Sequence, residues 1–264
     1  MKVCVLLLTY NHEEWIAQAV ESVLVQETTF DYEIVIIEDC STDSTRTIVV
    51  DYEQRYPEKI RLMLSERNRC DNTDFVAAFQ NSSSQYVAWL DGDDYWTSPY
   101  KLQRQVDFLD THPDYAICFH SVTILYENGS HEFWDRTEGK PKETSTLDDL
   151  WEGNFIPGCS SMLRKDSVGK FPEWYRTAKW ADWALYVLAA QHGKIGYIHE
   201  VMGAYRVHSG GYWSGLSEIQ KLEEAIAFYE IMDANLNFEY RETIRSKVAK
   251  LEGELEWRRA RSND

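Results

Sequence analysis

The sequence predicts an α/β fold in which helices flank a mainly parallel sheet. Short runs of β-favouring residues alternate with helical patterns through the first 110 residues. Strands that alternate with helices favour parallel pairing, with helices on both faces of the sheet. The first run, residues 3–8, is continuously apolar, which is typical of a strand that is buried on both faces.

Four strands are predicted in the first 90 residues, at 2–8, 33–37, 60–64 and 86–90. The helices between them are predicted from residue 13 onwards, over 44–56 and over 73–80. The first helix is indicated by apolar side chains on one face: Trp15, Ile16, Ala19, Val20, Val23 and Leu24. The second ends before Pro57, and Ser41 or Thr42 is placed to cap its start.

The second half of the chain continues with less regular elements. A helix is predicted at 100–111, a strand at 115–125 and a loop or hairpin over 128–146; strands at 159–164 and 195–207 flank a helix at 181–192. The chain is helical from about residue 217, where Ile244, Val248, Leu251 and Leu255 repeat at 4-3-4 spacing. Such a stripe suits packing on the domain or on a second copy in a homodimer.

Composition excludes several classes of protein. The 264 residues carry a formal net charge of −17, which disfavours nucleic acid as a partner. A hydrophobic content of 44% is typical of a folded chain, and no apolar run is long enough to span a bilayer. The amino terminus lacks the features of a signal peptide. Five scattered cysteines predict a reducing, cytoplasmic location, with peripheral membrane contact as an alternative.

Polar clusters follow three of the predicted strands. Asp91-Gly92-Asp93-Asp94 follows the fourth strand, Asp39 follows the second, and Thr9-Tyr10-Asn11 follows the first. Ligands of parallel sheets bind beyond the carboxyl ends of the strands. Three clustered carboxylates suit Mg²⁺ or Mn²⁺ with substrate phosphates, or alternatively a solvated turn. Asp39 suits a nucleobase or ribose, or alternatively a helix cap.

Together and in this order, the three motifs resemble glycosyltransferase family 2, whose members have the GT-A fold and use nucleotide sugars. The resemblance covers about residues 1–215 and divides them into a nucleotide-sugar half, 1–110, and an acceptor half, 111–215. Residues 216–264 then form a helical extension. In the second motif the family more often begins with two aspartates, whereas this chain has Glu38 before Asp39.

The resemblance implies a role for each matching residue. Thr9, Tyr10, Asn11 and Asp39 are expected at the nucleotide, Asp91 near the ribose or donor sugar, and Asp93 on the divalent metal, Mn²⁺ or Mg²⁺. Downstream, Asp182 in Trp180-Ala181-Asp182-Trp183 matches the catalytic base at the start of a helix. In Tyr205-Arg206-Val207-His208, Arg206 is expected on a phosphate and His208 on the metal.

The implied reaction is transfer of a sugar from a nucleoside-diphosphate sugar to an acceptor hydroxyl, with inversion at the anomeric carbon. The acceptor is a glycan, a lipid-linked saccharide or a similar molecule, and Trp180 or Trp183 is expected in its cleft. A sugar nucleotidyltransferase is disfavoured because the loop after the first strand lacks glycine. A non-catalytic binding subunit on the same fold is the other alternative, although Asp93 and Asp182 are both present.

Overall fold

The computed structural model describes residues 1–133, 142–236 and 240–262. The strands are β1 (Val3–Thr9), β2 (Tyr32–Glu38), β3 (Ile60–Leu64), β4 (Tyr86–Asp91), β5 (Tyr95–Trp96), β6 (Tyr115–Tyr126), β7 (His131–Phe133), β8 (Thr144–Ser145), β9 (Met162–Arg164) and β10 (Lys194–Val207). The helices are α1 (Ile16–Leu24), α2 (Thr45–Arg55), α3 (Thr73–Asn81), α4 (Lys101–Thr111), α5 (Leu147–Leu150), α6 (Ala181–Ala190), α7 (Glu218–Asn235) and α8 (Arg241–Ser262).

The strands form one mixed sheet in the order β3-β2-β1-β4-β9-β6-β10-β5, with β7 beside β6 and β8 beside β10. Strands β1 to β4 pair in parallel, and so do β6 and β10. The short strand β9 is antiparallel to both β4 and β6, which therefore run in the same direction. The predicted α/β fold is confirmed, and the long strands all end at one edge of the sheet.

The strand predicted over 159–164 is seen only in its second half, as β9. Residues 158–160 form a 3₁₀ turn, and only β9 is extended. The hydroxyl of Ser160 donates to the carbonyl of Pro157 at 2.7 Å, and that of Ser161 to Gly158 at 3.0 Å. Such local bonds compete with strand pairing. The predicted hairpin over 128–146 is seen in the pairing of β7 with β6; residues 134–141 lie outside the described part.

Both faces of the sheet are covered by apolar side chains. Along β1, Val3, Val5 and Leu7 face one core cluster, which also includes residues of α1, α2 and α4, whereas Cys4 and Leu6 face the other. This alternation follows from the two-residue period of a strand. The second cluster contains residues of α3, α6 and both C-terminal helices. The sheet is thus packed between two apolar layers, which fix the position of the edge where its long strands end.

The apolar stripe of α8 packs on the chain itself. Ile244 and Leu255 are buried, and Val248 and Leu251 pack against the core cluster that contains Phe228 of α7. Of the two partners that the sequence allows for this stripe, the structure shows the domain; a homodimer stays a prediction. Within the described residues, no helix is long and apolar enough to cross a membrane.

Candidate active site

The carboxyl ends of β1, β2 and β4 are joined by backbone hydrogen bonds between the polar motifs. The Asp39 N–H donates to the carbonyl of Thr9 at 3.1 Å, and the Gly92 N–H donates to the carbonyl of Leu8 at 2.7 Å. These bonds continue the parallel ladders beyond the strands. The three motifs of the sequence therefore lie side by side at one edge of the sheet, as predicted for a ligand site.

Gly92 lies against the first motif too closely for any side chain. A Cβ at this position would lie 2.7 Å from Thr9 Oγ1 and 2.8 Å from His12 Nδ1. Thr9 itself is buried, and its hydroxyl oxygen lies 3.3 Å from His12 Nδ1. Thr9, which is predicted to contact the nucleotide, therefore has a buried side chain that lies against Gly92 of the acidic turn.

Asn11 connects the first motif to the second. Its backbone has a positive φ of 55°, its N–H donates to Ser41 Oγ at 3.0 Å, and its Oδ1 accepts from the Thr42 N–H at 2.8 Å. The predicted cap by Ser41 or Thr42 is wrong, because helix α2 begins at Thr45, whose N–H donates to Asp43 Oδ1. The neighbouring Tyr10 is exposed beside this junction.

The two acidic residues after β2 have different environments. Glu38 is fully buried, accepts from the Ser41 N–H at 2.5 Å and pairs with the guanidinium of Arg46. Asp39 is partly exposed and accepts from the backbone N–H groups of Arg69 and Cys70, at 3.0 and 3.3 Å. Glu38 therefore orders the loop that precedes α2, whereas Asp39 holds the 65–72 loop beside the predicted nucleotide site.

In the acidic turn, charge is disfavoured on two carboxyl groups, those of Asp91, which is partly buried, and Asp94, which is buried. Both oxygens of Asp91 lie 3.0 Å from Trp89 Nε1. Burial, and then the charge of Asp93, raises the pKa of Asp91 to about 8. Burial also raises the pKa of Asp94 well above its usual value; Asp94 accepts from the Arg206 N–H at 2.8 Å. Asp94 therefore acts as a structural link to β10.

Asp93 is the member of the turn that remains ionised. Its Oδ2 lies 3.0 Å from His208 Nε2 and 3.7 Å from His12 Nε2. Burial would raise the pKa of Asp93, but the hydrogen bond from His208 and the charge of His12 outweigh burial and lower it. The His208 ring packs 4.2 Å from the ring of Trp15. His12 and Trp15 are neighbours of this pair that the sequence did not predict, although His12 directly follows the first motif.

The guanidinium of Arg206 is engaged by acceptors of the chain itself. It donates to the carbonyl of Asp93 and to the side chain of Gln18, and it lies 4.7 Å from the centre of the Tyr95 ring. Arg206, which is predicted to contact a phosphate, thus donates a hydrogen bond to the backbone of the acidic turn. No pattern in the sequence singled out Gln18.

A divalent cation fits the Asp93–His208 pair chemically. A carboxylate oxygen and an imidazole nitrogen lie 3.0 Å apart there. Within the described residues, no group of three or more His, Cys, Asp or Glu side chains could hold a metal ion. Mg²⁺ typically uses one or two carboxylates together with substrate phosphates and water. The pair therefore fits a site that a bound diphosphate completes.

A cavity of about 340 Å³ lies beside the acidic turn. Asp182, in the first turn of α6, lines this cavity, and its Oδ2 accepts from the Asn154 side chain at 2.9 Å. Gly158 also lines the cavity, and a Cβ there would lie 3.2 Å from Asp91 Oδ2. The acidic turn therefore lies directly behind the cavity wall. Asp182 and Asp91 are close enough for the charge of Asp182 to raise the pKa of Asp91 further.

The tryptophans of the second half divide into core and cavity residues. Trp183 lines the cavity but is buried, with its ring 5.3 Å from that of Trp180 and 4.3 Å from that of Phe228. Trp180 is only partly buried. Tyr212 and Trp213 also line the cavity and are 54% and 41% exposed. Because Trp183 is buried and the other three rings are at least partly exposed, Trp180, Tyr212 and Trp213 are available to a ligand.

Solved structures share this fold at low sequence identity. TarS from S. aureus, in complex with UDP-GlcNAc, superposes with a TM-score of 0.67 and 20% identity over 95% of this chain and 71% of that one. The mannosyltransferase PcManGT from Pyrobaculum calidifontis, in complex with GDP-Man and Mn²⁺, gives a TM-score of 0.68 and 16% identity over 94% of this chain and 69% of that one. These likenesses show the GT-A fold.

Curated relatives are more similar in sequence. An uncharacterised protein of Mycobacterium tuberculosis is 35% identical over 78% of this chain and 59% of its own length. An uncharacterised glycosyltransferase of Nostoc is 33% identical over 79% of this chain and 65% of its own. The chain thus spans about three fifths of the mycobacterial relative. The model of the family described as "Glycosyl transferase family 2" matches residues 4–171. Since this match covers well over half of the chain, the protein belongs to glycosyl transferase family 2.

Proposed function

We propose that the protein transfers a sugar from a nucleoside-diphosphate sugar to an acceptor hydroxyl, with inversion at the anomeric carbon. One observation carries this proposal: Asp182 lines a cavity whose wall at Gly158 adjoins the carboxylate of Asp91. The proposed base lines the cavity, and the proposed diphosphate-binding turn lies behind the cavity wall. This arrangement suits in-line displacement. Family membership and the nucleotide sugars bound by the solved neighbours support the same assignment.

On the donor side, Asp93 and His208 would hold Mn²⁺ or Mg²⁺, as their chemistry and spacing allow. A bound divalent cation neutralises charge that develops on a diphosphate leaving group. The chain itself keeps this region ordered. Arg206 braces the backbone of Asp93, and Asp39 holds the 65–72 loop at the predicted nucleotide site. Neutral Asp91 and Asp94 limit the repulsion that an anionic donor would meet.

On the acceptor side, Asp182 would take the proton of the attacking hydroxyl. Its place in the first turn of α6 stabilises the ionised carboxylate through the helix dipole. The amide of Asn154 donates to one carboxylate oxygen and so orients the side chain at the cavity. A single base on the side opposite the leaving group requires no covalent intermediate, which gives inversion.

Slow donor hydrolysis tests this function without a known acceptor. The purified protein is incubated with UDP-, GDP- and dTDP-sugars and Mn²⁺, and release of the nucleoside diphosphate is measured with and without excess chelator. We expect release from at least one donor and its loss on chelation. Absence of release from every donor, together with retained nucleotide binding, would favour the non-catalytic binding subunit instead.

A further inference from the structure

We infer that the C-terminal helices α7 and α8, through Glu224, set the acceptor specificity of the cavity, and that they select a saccharide ring. This inference rests on the proposed transferase function, because it names the acceptor class of the same cavity. The family match ends at residue 171, whereas both helices lie beyond residue 217. Residues of both helices line the cavity, so the helices are placed to select what binds in it.

The cavity combines residues of the core domain and of the C-terminal helices. Helix α7 contributes Ala225 and Tyr229, and helix α8 contributes Lys247 and Leu251. Tyr229 is anchored by its hydroxyl, which donates to the carbonyl of Trp151 at 2.8 Å, and Lys247 pairs with Glu152 at 2.9 Å. The wall is therefore held in position by polar contacts to the segment that precedes Asn154.

Glu224 positions two of the aromatic rings of the cavity. Its Oε2 accepts from Trp180 Nε1 at 3.0 Å, and its Oε1 accepts from the hydroxyl of Tyr212 at 2.6 Å. Glu224 itself does not line the cavity. The carboxylate of Glu224 thus connects Trp180, which directly precedes α6, with Tyr212 in the loop that follows His208. We therefore assign Glu224 as a positioning residue.

Trp213 completes an aromatic surface that a ring can stack on. Its ring packs edge-on to Trp180 at 5.2 Å, and the ammonium of Lys221 lies 5.2 Å from its centre. The ring nevertheless remains 41% exposed at the cavity. Aromatic faces bind the apolar faces of ligands, while polar groups nearby fix their orientation.

The polar groups around these rings favour a saccharide over a lipid chain. Asp182, Asn154 and the Lys247–Glu152 pair all border the cavity. Burying a methylene chain beside charged groups gains little, whereas a pyranose offers both C–H faces and hydroxyls to them. The volume of about 340 Å³ is also that of a compact small-molecule site rather than of an extended lipid groove.

The inference is tested by measuring how the protein binds to an array of immobilised saccharides. The assay contains Mn²⁺ and the nucleoside diphosphate of the donor that is hydrolysed in the donor panel. We expect the wild type to bind a restricted set of saccharides. Trp213→Ala and Glu224→Ala should weaken that binding about 10-fold or more, a loss that corresponds to about 1.4 kcal/mol. Glu224→Gln should recover part of it, since the amide oxygen still accepts one of the two hydrogen bonds.

Matched controls separate the proposed role from general damage. Glu223→Gln alters the adjacent residue of α7, which pairs with Arg259, and Trp257→Ala removes an exposed tryptophan of α8 that does not line the cavity. Both should bind saccharides as the wild type does. Donor hydrolysis should also be unchanged in both controls, because neither residue lines the cavity.

Several results would overturn the inference. These are wild-type affinity in Trp213→Ala and Glu224→Ala, absence of saccharide binding by the wild type, and binding of the wild type to phosphatidylglycerol vesicles that carry a polyprenyl phosphate in place of saccharides. Donor hydrolysis with unaltered saccharide binding in the variants would leave the transferase function intact and remove only the role of the helices. Saccharide binding that depends on Glu224, without hydrolysis of any donor, would support the role of the helices and contradict the transferase function.

Discussion

The carboxylate of Asp93 lies 3.0 Å from the imidazole Nε2 of His208, although the two residues are 115 positions apart. Asp93 follows β4, and His208 follows β10, on the other side of two intervening strands. The antiparallel pairing of β10 with β5, in which Ala204 faces Tyr95, brings the two ends together. A change of this register would separate Asp93, the carboxylate of the turn whose pKa is lowered, from its imidazole partner.

Replacement of Asp93 by Ala should abolish sugar transfer and metal-dependent nucleotide binding. The carboxylate oxygen that would bind the metal is lost, while the fold should be kept because Asp93 belongs to neither apolar core cluster. Calorimetric titration with Mn²⁺ and the preferred nucleoside diphosphate measures this loss, and thermal unfolding checks the fold. His208→Ala should weaken metal-dependent binding in the same titration.

The control for these variants is Asp51→Ala, which removes an exposed carboxylate that pairs with Arg55 on α2. It should behave as the wild type does. Full transfer by Asp93→Ala, or unchanged wild-type activity in excess chelator, would contradict the metal assignment.

Replacement of Asp39 by Ala should weaken nucleoside diphosphate binding by about 1–3 kcal/mol, because hydrogen-bond donors of the nucleotide or of the 65–72 loop lose their acceptor. Calorimetry with the preferred nucleotide measures the change. Asp71→Ala is the matched control, since Asp71 lies in the same loop and accepts from the N–H of Thr73. Equal affinities of wild type and Asp39→Ala would make Asp39 a turn residue without a role in binding.

Replacement of Asp182 by Asn should lower turnover about 10²-fold or more, because the amide cannot accept the proton of the acceptor hydroxyl. Donor affinity should stay nearly unchanged, since the base contacts the acceptor rather than the nucleotide. The wild-type rate should fall at low pH as the carboxylate protonates, and the variant should lack this limb. Rates at saturating donor measure both effects.

The same substitution in another helix serves as the control. Asp148 lies exposed in the first turn of α5, and Asp148→Asn should leave turnover unchanged. If Asp182 were only a helix cap, Asn would cap equally well, and Asp182→Asn would also retain activity close to that of the wild type.

Replacement of Lys101 by Met should stabilise the protein at neutral pH and below. Lys101 is fully buried, 3.9 Å from the centre of the Trp96 ring, and burial lowers its pKa from 10.5 to about 7. Between these values the unfolded state binds more protons, so wild-type stability should rise with pH from about 7 towards 10, by at most about 1.4 kcal/mol per pH unit from this group. Urea unfolding at pH 6, 7 and 9 measures the difference.

The advantage of Lys101→Met should shrink as the pH rises, because the wild-type lysine then folds uncharged. Lys59→Met is the control: it removes an ammonium 4.1 Å from the Tyr32 ring, but at a position that remains partly exposed. It should show no such pH dependence. A constant difference between Lys101→Met and the wild type over this range would mean that Lys101 is not neutralised in the folded protein.

The elements of the first half were predictable because their signals are local. Strand β1 is a run of apolar residues followed by Thr9, and the stripe of α1 repeats every turn. Local signals were weaker at 159–161, where the hydroxyls of Ser160 and Ser161 bond to nearby carbonyls and a turn precedes the short strand β9. They also suggested a cap at Ser41, whose hydroxyl instead accepts from Asn11, 30 positions earlier.

The candidate site was only partly predictable for the same reason. The residues that hold other residues in place, such as Gln18 beside Arg206, Asn154 beside Asp182 and Glu224 between Trp180 and Tyr212, belong to no recurrent spacing. Each acts through a partner that is distant in the chain. The sequence could likewise not separate Trp183, which is buried, from Trp213, which is exposed.

By itself, the sequence determined the α/β pattern, the three motifs after their strands and, through them, the family. These features depend on residues that are neighbours in the chain or recur at strand and helix periods. The tertiary structure decided which acidic residue stays ionised, which tryptophan is exposed at the cavity and which helices line it. Those properties depend on burial and on contacts across the sheet, because desolvation and hydrogen bonding act between groups that meet only when the chain has folded.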